Sequence, residues 1–273
     1  MPDRYAVIGN PIAHSKSPAI HAAFAEQTGQ DIRYGRLLGD RDDFAGDVRR
    51  FFAEGGLGLN VTVPFKEEAW ALADERSPRA EIAGAVNTLI RLDATRIRGD
   101  NTDGVGLVRD LGINHGFDFR ARSVLLLGAG GASRGVLLPL LESGLARLRI
   151  ANRTAAKAED LAALGAAFGP VEGCGLDQLE GERFDLIINA TSAGLSDAVP
   201  AIPETCLAPG GWTYDMLYGD VPTAFCRWGA AHQAARALDG LGMLVEQAAE
   251  SFHLWRGIRP KTATVIKGLR RPG

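Results

Sequence analysis

The sequence predicts an α/β protein of two units, each an open, largely parallel sheet covered by helices. Three observations predict it. Short apolar strands alternate with helical stretches over the first hundred residues; a wholly apolar strand, Val124-Leu125-Leu126-Leu127, breaks into a glycine-rich turn; and the strand–helix alternation then resumes. Such βαβ alternation is what parallel sheets require, since each crossover lays a helix on a face. A chain of 273 residues has room for two domains of ordinary size.

The first unit reads as strand Tyr5–Ile8, helix Pro18–Gln27, strand Ile32–Leu38 and helix Phe44–Glu54. A third strand, Leu57–Val63, runs into the stretch NVTVPFKE. There Asn60-Val61-Thr62-Val63 alternates polar and apolar residues, so Val61 and Val63 should anchor the strand in the core. Pro64 cannot donate a ladder hydrogen bond and should end it, leaving Lys66 at the sheet's end. Short helices over Glu67–Ala73 and near Pro78–Ala83 lead to a hairpin, Ala85–Arg91 returning through Arg96–Arg98.

The second unit starts at Ser123 with the apolar strand and its glycine turn. A helix to about Ser143, strand Leu148–Ala151, a helix to about Ala167, strand Phe184–Asn189, strand Trp212–Met216 and helix Pro222–Ala235 follow. A long helix, Met243–Trp255, then carries Leu244, Val245, Ala248, Phe252 and Trp255 at helical spacing, a core-facing stripe. A last helix, Thr262–Leu269, ends the pattern.

Composition narrows the function. Apolar residues are 46% and charged residues 23%, the balance of a globular protein with a substantial core. A net charge of −3 gives no electrostatic case for nucleic acid or an anionic membrane as partner. No apolar run reaches the length of a membrane span, and no targeting segment precedes Tyr5. Cys174, Cys206 and Cys226 are odd in number, far apart and without metal-ligand spacing, which points to free thiols, no metal and a reducing, cytoplasmic setting.

The segment VLLLGAGGASRG offers a dinucleotide site. Gly128 and Gly130 supply the tight turn and close backbone approach that a pyrophosphate needs, and the following helix start offers unpaired N–H groups and a positive dipole end. Ala129, Gly131 and Ala132 keep the turn slim, while Ser133 stands where a third glycine is usual. The next strand ends without the acidic residue that holds the ribose of NAD; it carries Asn152, Arg153 and Thr154, with Lys157 one turn on. A guanidinium, a hydroxyl and an amide suit the 2′-phosphate of NADP. Thr154 and Asn152 also suit a helix cap, and the two readings are compatible.

The first unit carries its own polar residues at strand and loop ends. Ser15 and Ser17, before a helix, suit a carboxylate, although Ser17-Pro18 is equally a standard helix start. Lys66, Asn87 and Asp103 have plain alternatives too: a surface cation, turn chemistry and a helix cap. In a parallel sheet, however, ligands gather outside the carboxyl ends of the strands, where Ser15, Ser17, Thr62 and Lys66 fall.

Seven segments in order, GNPIAHSKSP, NVTVPFKE, GAVNTL, GDNTDGVG, GAGGASRG, NRT and GLGMLVEQAA, span residues 9 to about 250. Together they resemble the shikimate dehydrogenase family. The resemblance implies an NADP-dependent enzyme interconverting 3-dehydroshikimate and shikimate in aromatic amino acid biosynthesis, as a monomer or homodimer. It implies a discontinuous substrate domain, residues 1–104 plus 240–273, and a Rossmann-type NADP domain, residues 105–239, with a cleft between them. A cleft between two α/β units is expected to close on binding, and the composition offers glycines such as Gly104 or Gly240 as hinges. The resemblance places Ser15 and Ser17 on the substrate carboxylate, and Thr62, Lys66, Asn87, Asp103 and Gln247 around the ring hydroxyls with Tyr218 close by. It adds Thr191, Ser192, Met216 and Gly240 to the cofactor contacts. Lys66 then stabilises the developing alkoxide and is the main proton donor and acceptor, with Asp103 as its catalytic partner, an orienter or a proton relay. A quinate or dual quinate/shikimate dehydrogenase is the alternative within enzymes, and a non-catalytic dinucleotide or metabolite sensor the alternative outside them.

Overall fold

The structure, a computed structural model, describes residues 1–270. Residues 1–106 with 245–270 form one unit and residues 107–244 the other, the division falling inside two helices. In the first unit the N-terminal strand β1 (Asp3–Gly9) is followed by α1 (Ser17–Thr28), β2 (Ile32–Leu38), α2 (Phe44–Ala53) and β3 (Gly56–Val61). Then come α3 (Lys66–Leu72), β4 (Glu75–Arg76), α4 (Pro78–Ala83), β5 (Thr88–Arg91), β6 (Ile97–Asp100) and α5 (Asp103–Arg109). The sheet order is β2-β1-β3-β5-β6-β4. β1 pairs parallel with β2 and β3, β5 pairs antiparallel with β3 and β6, and β4 pairs parallel with β6. Only the hairpin strand β5 therefore runs against the rest. Ile8, Leu59 and Val61 pack beneath α2 and α3 with Phe44 and Phe65, whose rings stack at 4.8 Å.

The NVTVPFKE segment departs from the alternation read in it. β3 ends at Val61, and Val63 is 65% exposed while Asn60 is buried. The core anchors are Val61 and Phe65, and the apolar–polar pattern fails because Asn60 is held inside by hydrogen bonds rather than by solvent. Lys66 does not end a strand; it opens α3.

The second unit contains a π turn at Asp110–Asn114, then β7 (Ser123–Leu127), α6 (Gly131–Glu142), β8 (Arg147–Asn152), α7 (Ala155–Gly165), β9 (Val171–Gly175) and β10 (Phe184–Asn189). It continues with β11 (Leu207–Asp215), α8 (Ala224–Ala231) and β12 (Arg236–Leu238). All its strand pairs are parallel, in the order β12-β11-β10-β7-β8-β9. The order reverses at β7, so the ends of β7 and β10 flank the crevice where open α/β sheets bind ligands. β9 and β12 have no counterpart in the sequence pattern. In β9 the reason is Gly173: a Cβ there would lie 2.3 Å from backbone atoms of Ala158, so the strand gives up a side chain to let α7 close on it. The helix expected over 222–235 spans only Ala224–Ala231, and the chain turns out of it through Gln233 at φ +59° before β12 begins at Arg236.

The closing helices are α9 (Leu241–Arg256) and α10 (Ala263–Leu269). Within the first unit, Val245, Ala248 and Phe252 of α9 are buried. The Trp255 indole occupies the space a Cβ at Gly58 would need, and its Nε1 donates to the Leu89 carbonyl at 3.1 Å. Arg79 ties the return segment down, donating to both carboxylate oxygens of Asp100 (2.6 and 3.1 Å) and to Glu250 (3.0 Å). Among the described residues no helix is long and apolar enough to cross a membrane.

Candidate active site

In the first unit the chain gathers a polar cluster from residues far apart in sequence. Lys66, at the first turn of α3, has its backbone carbonyl bonded by the Val86 amide at 2.8 Å, while buried Phe65 anchors the residue before it. Its Nζ donates to Asp103 Oδ2 at 2.6 Å. The Lys66 side chain is 31% exposed and that of Asp103 16%, so the pair is accessible to a small molecule yet partly desolvated. Asp103 does not cap a helix with its carboxylate; its second oxygen accepts from Asn87 Nδ2 at 2.8 Å.

Asn87 is nearly fully buried and is the hub. Its Nδ2 also donates to Thr102 Oγ1 (3.0 Å) and reaches Gln247 Oε1 at 3.4 Å, and its Oδ1 accepts from the Thr102 amide at 2.9 Å. Turn chemistry does not account for Asn87, since its side chain reaches Asp103, Thr102 and Gln247 rather than its own turn. Gln247, on α9, also accepts from Thr102 Oγ1 at 3.3 Å, so the helical residue singled out by resemblance does face Asn87.

A second layer lies beneath. Asn60 Nδ2 donates to Ser251 Oγ at 2.9 Å and Thr88 Oγ1 at 3.2 Å, and its Oδ1 accepts from the Tyr34 hydroxyl at 2.7 Å. Tyr34 stacks on the His21 ring at 4.1 Å, and burial pushes His21 down to about 3, so this imidazole is neutral. Burial likewise pushes the Tyr34 phenol well above its usual value, with Ser17 acting against it. Sequence reasoning missed Asn60, Thr88, Thr102 and Ser251. Only their burial reveals them.

Ser15 and Ser17 stand at the start of α1. Ser17 is a buried first-turn residue rather than the cap, and Lys16 holds the cap position without a side-chain cap bond. The Ser15 hydroxyl accepts from the Ser17 amide at 3.3 Å. Thr62, half-buried, lies one residue past β3, and its amide donates to the Ile8 carbonyl at 3.0 Å. Tyr218 belongs to the second unit, 39% exposed, with burial of its ring raising its phenol.

In the second unit the glycine turn has the geometry of a phosphate cradle. Gly128 has φ +103°, in the region that favours glycine, and a Cβ there would lie 3.2 Å from Thr191 Cγ2 and 3.3 Å from the Ala190 carbonyl. The turns after β7 and β10 thus meet at Gly128. Around Gly130 and Gly131 an added Cβ would meet no chain atom within 4 Å, and Ala132 is exposed. The first-turn amides of α6 open onto this free volume, as anion binding at a helix N-terminus requires. Ser133 is buried and donates to the Gly128 carbonyl at 2.8 Å, so the residue in place of the third glycine closes the turn instead of obstructing it.

At the end of β8, Asn152 Nδ2 donates to the Thr154 carbonyl at 3.0 Å, while Arg153, Thr154 and Lys157 are exposed. Thr154 occupies the cap position of α7 but makes no side-chain cap bond, so its hydroxyl is left to other partners. Arg153 and Lys157 have no ion-pair partner among the described residues. These groups fit a 2′-phosphate, and the open volume at Gly130 and Gly131 fits a pyrophosphate. At the end of β10, Asn189 Oδ1 accepts from the Thr191 amide and hydroxyl (3.1 and 2.7 Å), and its Nδ2 donates to Asp215 at 3.2 Å. Burial raises the Asp215 carboxyl against its bonds from Thr223, Leu217 and Asn189. The Met216 amide donates to the Asn189 carbonyl at 2.9 Å. A Cβ on Gly240 would lie 2.3 Å from the Met216 carbonyl oxygen, so Gly240 permits close backbone contact there. Ser192 follows Thr191 on the same partly exposed turn.

A parallel six-stranded sheet with a phosphate cradle, and a second α/β unit with a lysine–aspartate pair, define a dinucleotide-dependent oxidoreductase. Three family models match the chain: "Shikimate dehydrogenase substrate binding domain" over residues 7–89, "Shikimate / quinate 5-dehydrogenase" over residues 112–196, and "Shikimate 5'-dehydrogenase C-terminal domain" over residues 240–270. The shikimate dehydrogenase (NADP(+)) of Alkalilimnicola ehrlichii is 60% identical over 270 residues, 99% of each chain. That of Thioalkalivibrio sulfidiphilus is 59% identical over 268 residues, 98% of each chain. Among solved structures, an enzyme from Pseudomonas putida superposes with TM-score 0.92 at 47% identity, over 99% of each chain. The shikimate 5-dehydrogenase of Thermus thermophilus in complex with NADP(H) and shikimate gives TM-score 0.86 at 34% identity, over 98% of this chain and 99% of that one. The chain belongs to the shikimate dehydrogenase family.

Proposed function

We propose that the chain reversibly reduces 3-dehydroshikimate to shikimate with NADPH, as a cytoplasmic monomer or homodimer. Residues 1–104 with 240–273 serve the substrate and residues 105–239 the cofactor. The observation that carries the reading is the Lys66 Nζ–Asp103 Oδ2 contact at 2.6 Å, fixed from behind by Asn87. Ketone reduction needs positive charge and then a proton on the carbonyl oxygen, and an oriented ammonium supplies both.

Each residue has a definite task. Lys66 donates its proton to the substrate's oxygen and takes one back in the reverse direction. Asp103 orients Lys66, and Asn87 holds the other carboxylate oxygen so that Asp103 cannot turn away. Gln247, Thr62 and Asn87 accept and donate to ring hydroxyls, and Tyr218 adds its phenol. Ser15 and Ser17 hold the carboxylate. On the cofactor side, Gly128–Ala132 take the pyrophosphate, Asn152, Arg153, Thr154 and Lys157 the 2′-phosphate, and Thr191, Ser192, Met216 and Gly240 flank the nicotinamide half. Bound NADPH supplies the hydride.

The test is steady-state kinetics of Lys66→Ala with shikimate and NADP, quinate being run beside shikimate because the matching family covers both acids. The expected result is a fall in kcat of roughly 10²–10⁴-fold with a smaller change in KM. A rise in KM with kcat intact would make Lys66 a binding residue only and overturn the mechanism.

A further inference from the structure

We propose that Arg36 is a specificity-determining residue for the substrate carboxylate: it clasps the Ser15 peptide and sets a permanent positive charge beside the two serine hydroxyls. The inference rests on the preceding assignment of Ser15 and Ser17 to that carboxylate. Its own observation is geometric. Arg36 Nε and Nη2 both donate to the Ser15 carbonyl, at 3.2 and 2.6 Å. A guanidinium carries five N–H donors, so after this contact three remain for an anion.

Arg36 lies on the edge strand β2, two residues after Tyr34, and side chains two apart on a strand share a face. Tyr34 bonds Asn60 at 2.7 Å and lies beside Ser17. The same face of β2 therefore supports both the floor of the polar cluster and the serine loop. Nearer its start the loop is fastened by Asn10 Nδ2 to the Gly39 carbonyl at 3.0 Å, the Asn10 amide to the Val63 carbonyl at 3.1 Å, the Gly39 amide to the Gly9 carbonyl at 3.1 Å, and Arg41 Nη2 to the Asn10 carbonyl at 3.4 Å. The hydroxyls of Ser15 and Ser17 carry no charge, so a cation beside them adds discrimination between a carboxylate and a neutral group of the same shape. Arg36 is the cation bonded to Ser15 itself.

The test compares shikimate with its neutral methyl ester in the wild type, Arg36→Gln, Arg36→Lys and Ser17→Ala. In Arg36→Gln the KM for shikimate is expected to rise roughly tenfold or more, with kcat within about twofold, while the KM for the ester stays near the wild-type value. Arg36→Lys, which keeps the charge without the fork, should fall between. An unchanged KM for shikimate in Arg36→Gln overturns the proposal. An equal rise for acid and ester also overturns it, since Arg36 would then only shape the loop. If Ser17→Ala leaves both KM values unchanged, the carboxylate is not bound at the serines, and the underlying assignment falls with the proposal. Thermal midpoints of all variants confirm that folded proteins are being compared.

Discussion

Two glycines of one turn should respond oppositely to the same added methyl group. Gly128 has φ +103°, which costs an L-residue roughly 1–2 kcal/mol, and its Cβ would also press on Thr191 Cγ2 at 3.2 Å. Gly130 has φ −94° and ψ −169°, ordinary extended backbone, and its Cβ would meet nothing within 4 Å. Gly128→Ala is therefore expected to destabilise the free protein by ~1–3 kcal/mol. Gly130→Ala should leave it unharmed, or stabilise it by ~0.4–1 kcal/mol through a less flexible unfolded chain. Affinity should move the other way. In the proposed binding mode the pyrophosphate fills the volume open at Gly130, so the methyl group there should weaken NADP binding roughly tenfold or more. Thermal melting of the free proteins and fluorescence titration with NADP separate the two effects. A Gly130→Ala protein that melts as early as Gly128→Ala would show that chain atoms fill the volume. One that binds NADP like the wild type would remove the pyrophosphate from this turn.

Two further outcomes are expected. Replacing Arg153 with Ala should raise the KM for NADP by roughly ten- to a hundredfold and leave that for NAD nearly unchanged, because in the proposed mode Arg153 meets only the 2′-phosphate that NAD lacks; initial rates with shikimate and each cofactor check it, and equal losses would refute it. Glu250 contributes to acid stability: burial alone would raise its carboxyl, but Arg259 and Arg79 outweigh burial and hold it below its ordinary value. A carboxyl lowered in the folded state contributes stability above its unfolded value of about 4.3, and that contribution is lost as pH falls through the folded value. Glu250→Gln should thus cost ~1–3 kcal/mol at neutral pH, with the gap to the wild type narrowing below about pH 4 in urea melts.

Local patterns in the chain carried the two α/β units, the glycine turn and the charge preference at the end of β8. These depend on neighbours within a few residues: β-branched runs, glycine where φ is positive, a guanidinium where an acid is absent. The same locality explains the errors. Ser17-Pro18 reads as a cap, yet the helix starts at Ser17 and its side chain is buried. Asn60 reads as a solvent-facing residue of an alternating strand, yet it is buried, and Val63 reads as core yet is 65% exposed. β4 and β12, of two and three residues, are too short to leave a periodicity.

The motifs named the polar residues of the site, and resemblance ordered them, but neither could say which atoms touch. Lys66 and Asp103 are 37 residues apart, Asn87 and Gln247 are 160, and Asn60 and Ser251 are 191. Contacts at such separations depend on how strands pair and how α9 docks, which are cooperative properties of the packed sheet. Sequence alone determined what kinds of group this protein offers to a ketone and a dinucleotide. Only tertiary structure decided that Asn87 locks Asp103 against Lys66, and that Arg36 closes on Ser15, because a side chain's reach is a few ångströms and only the fold brings distant segments within it.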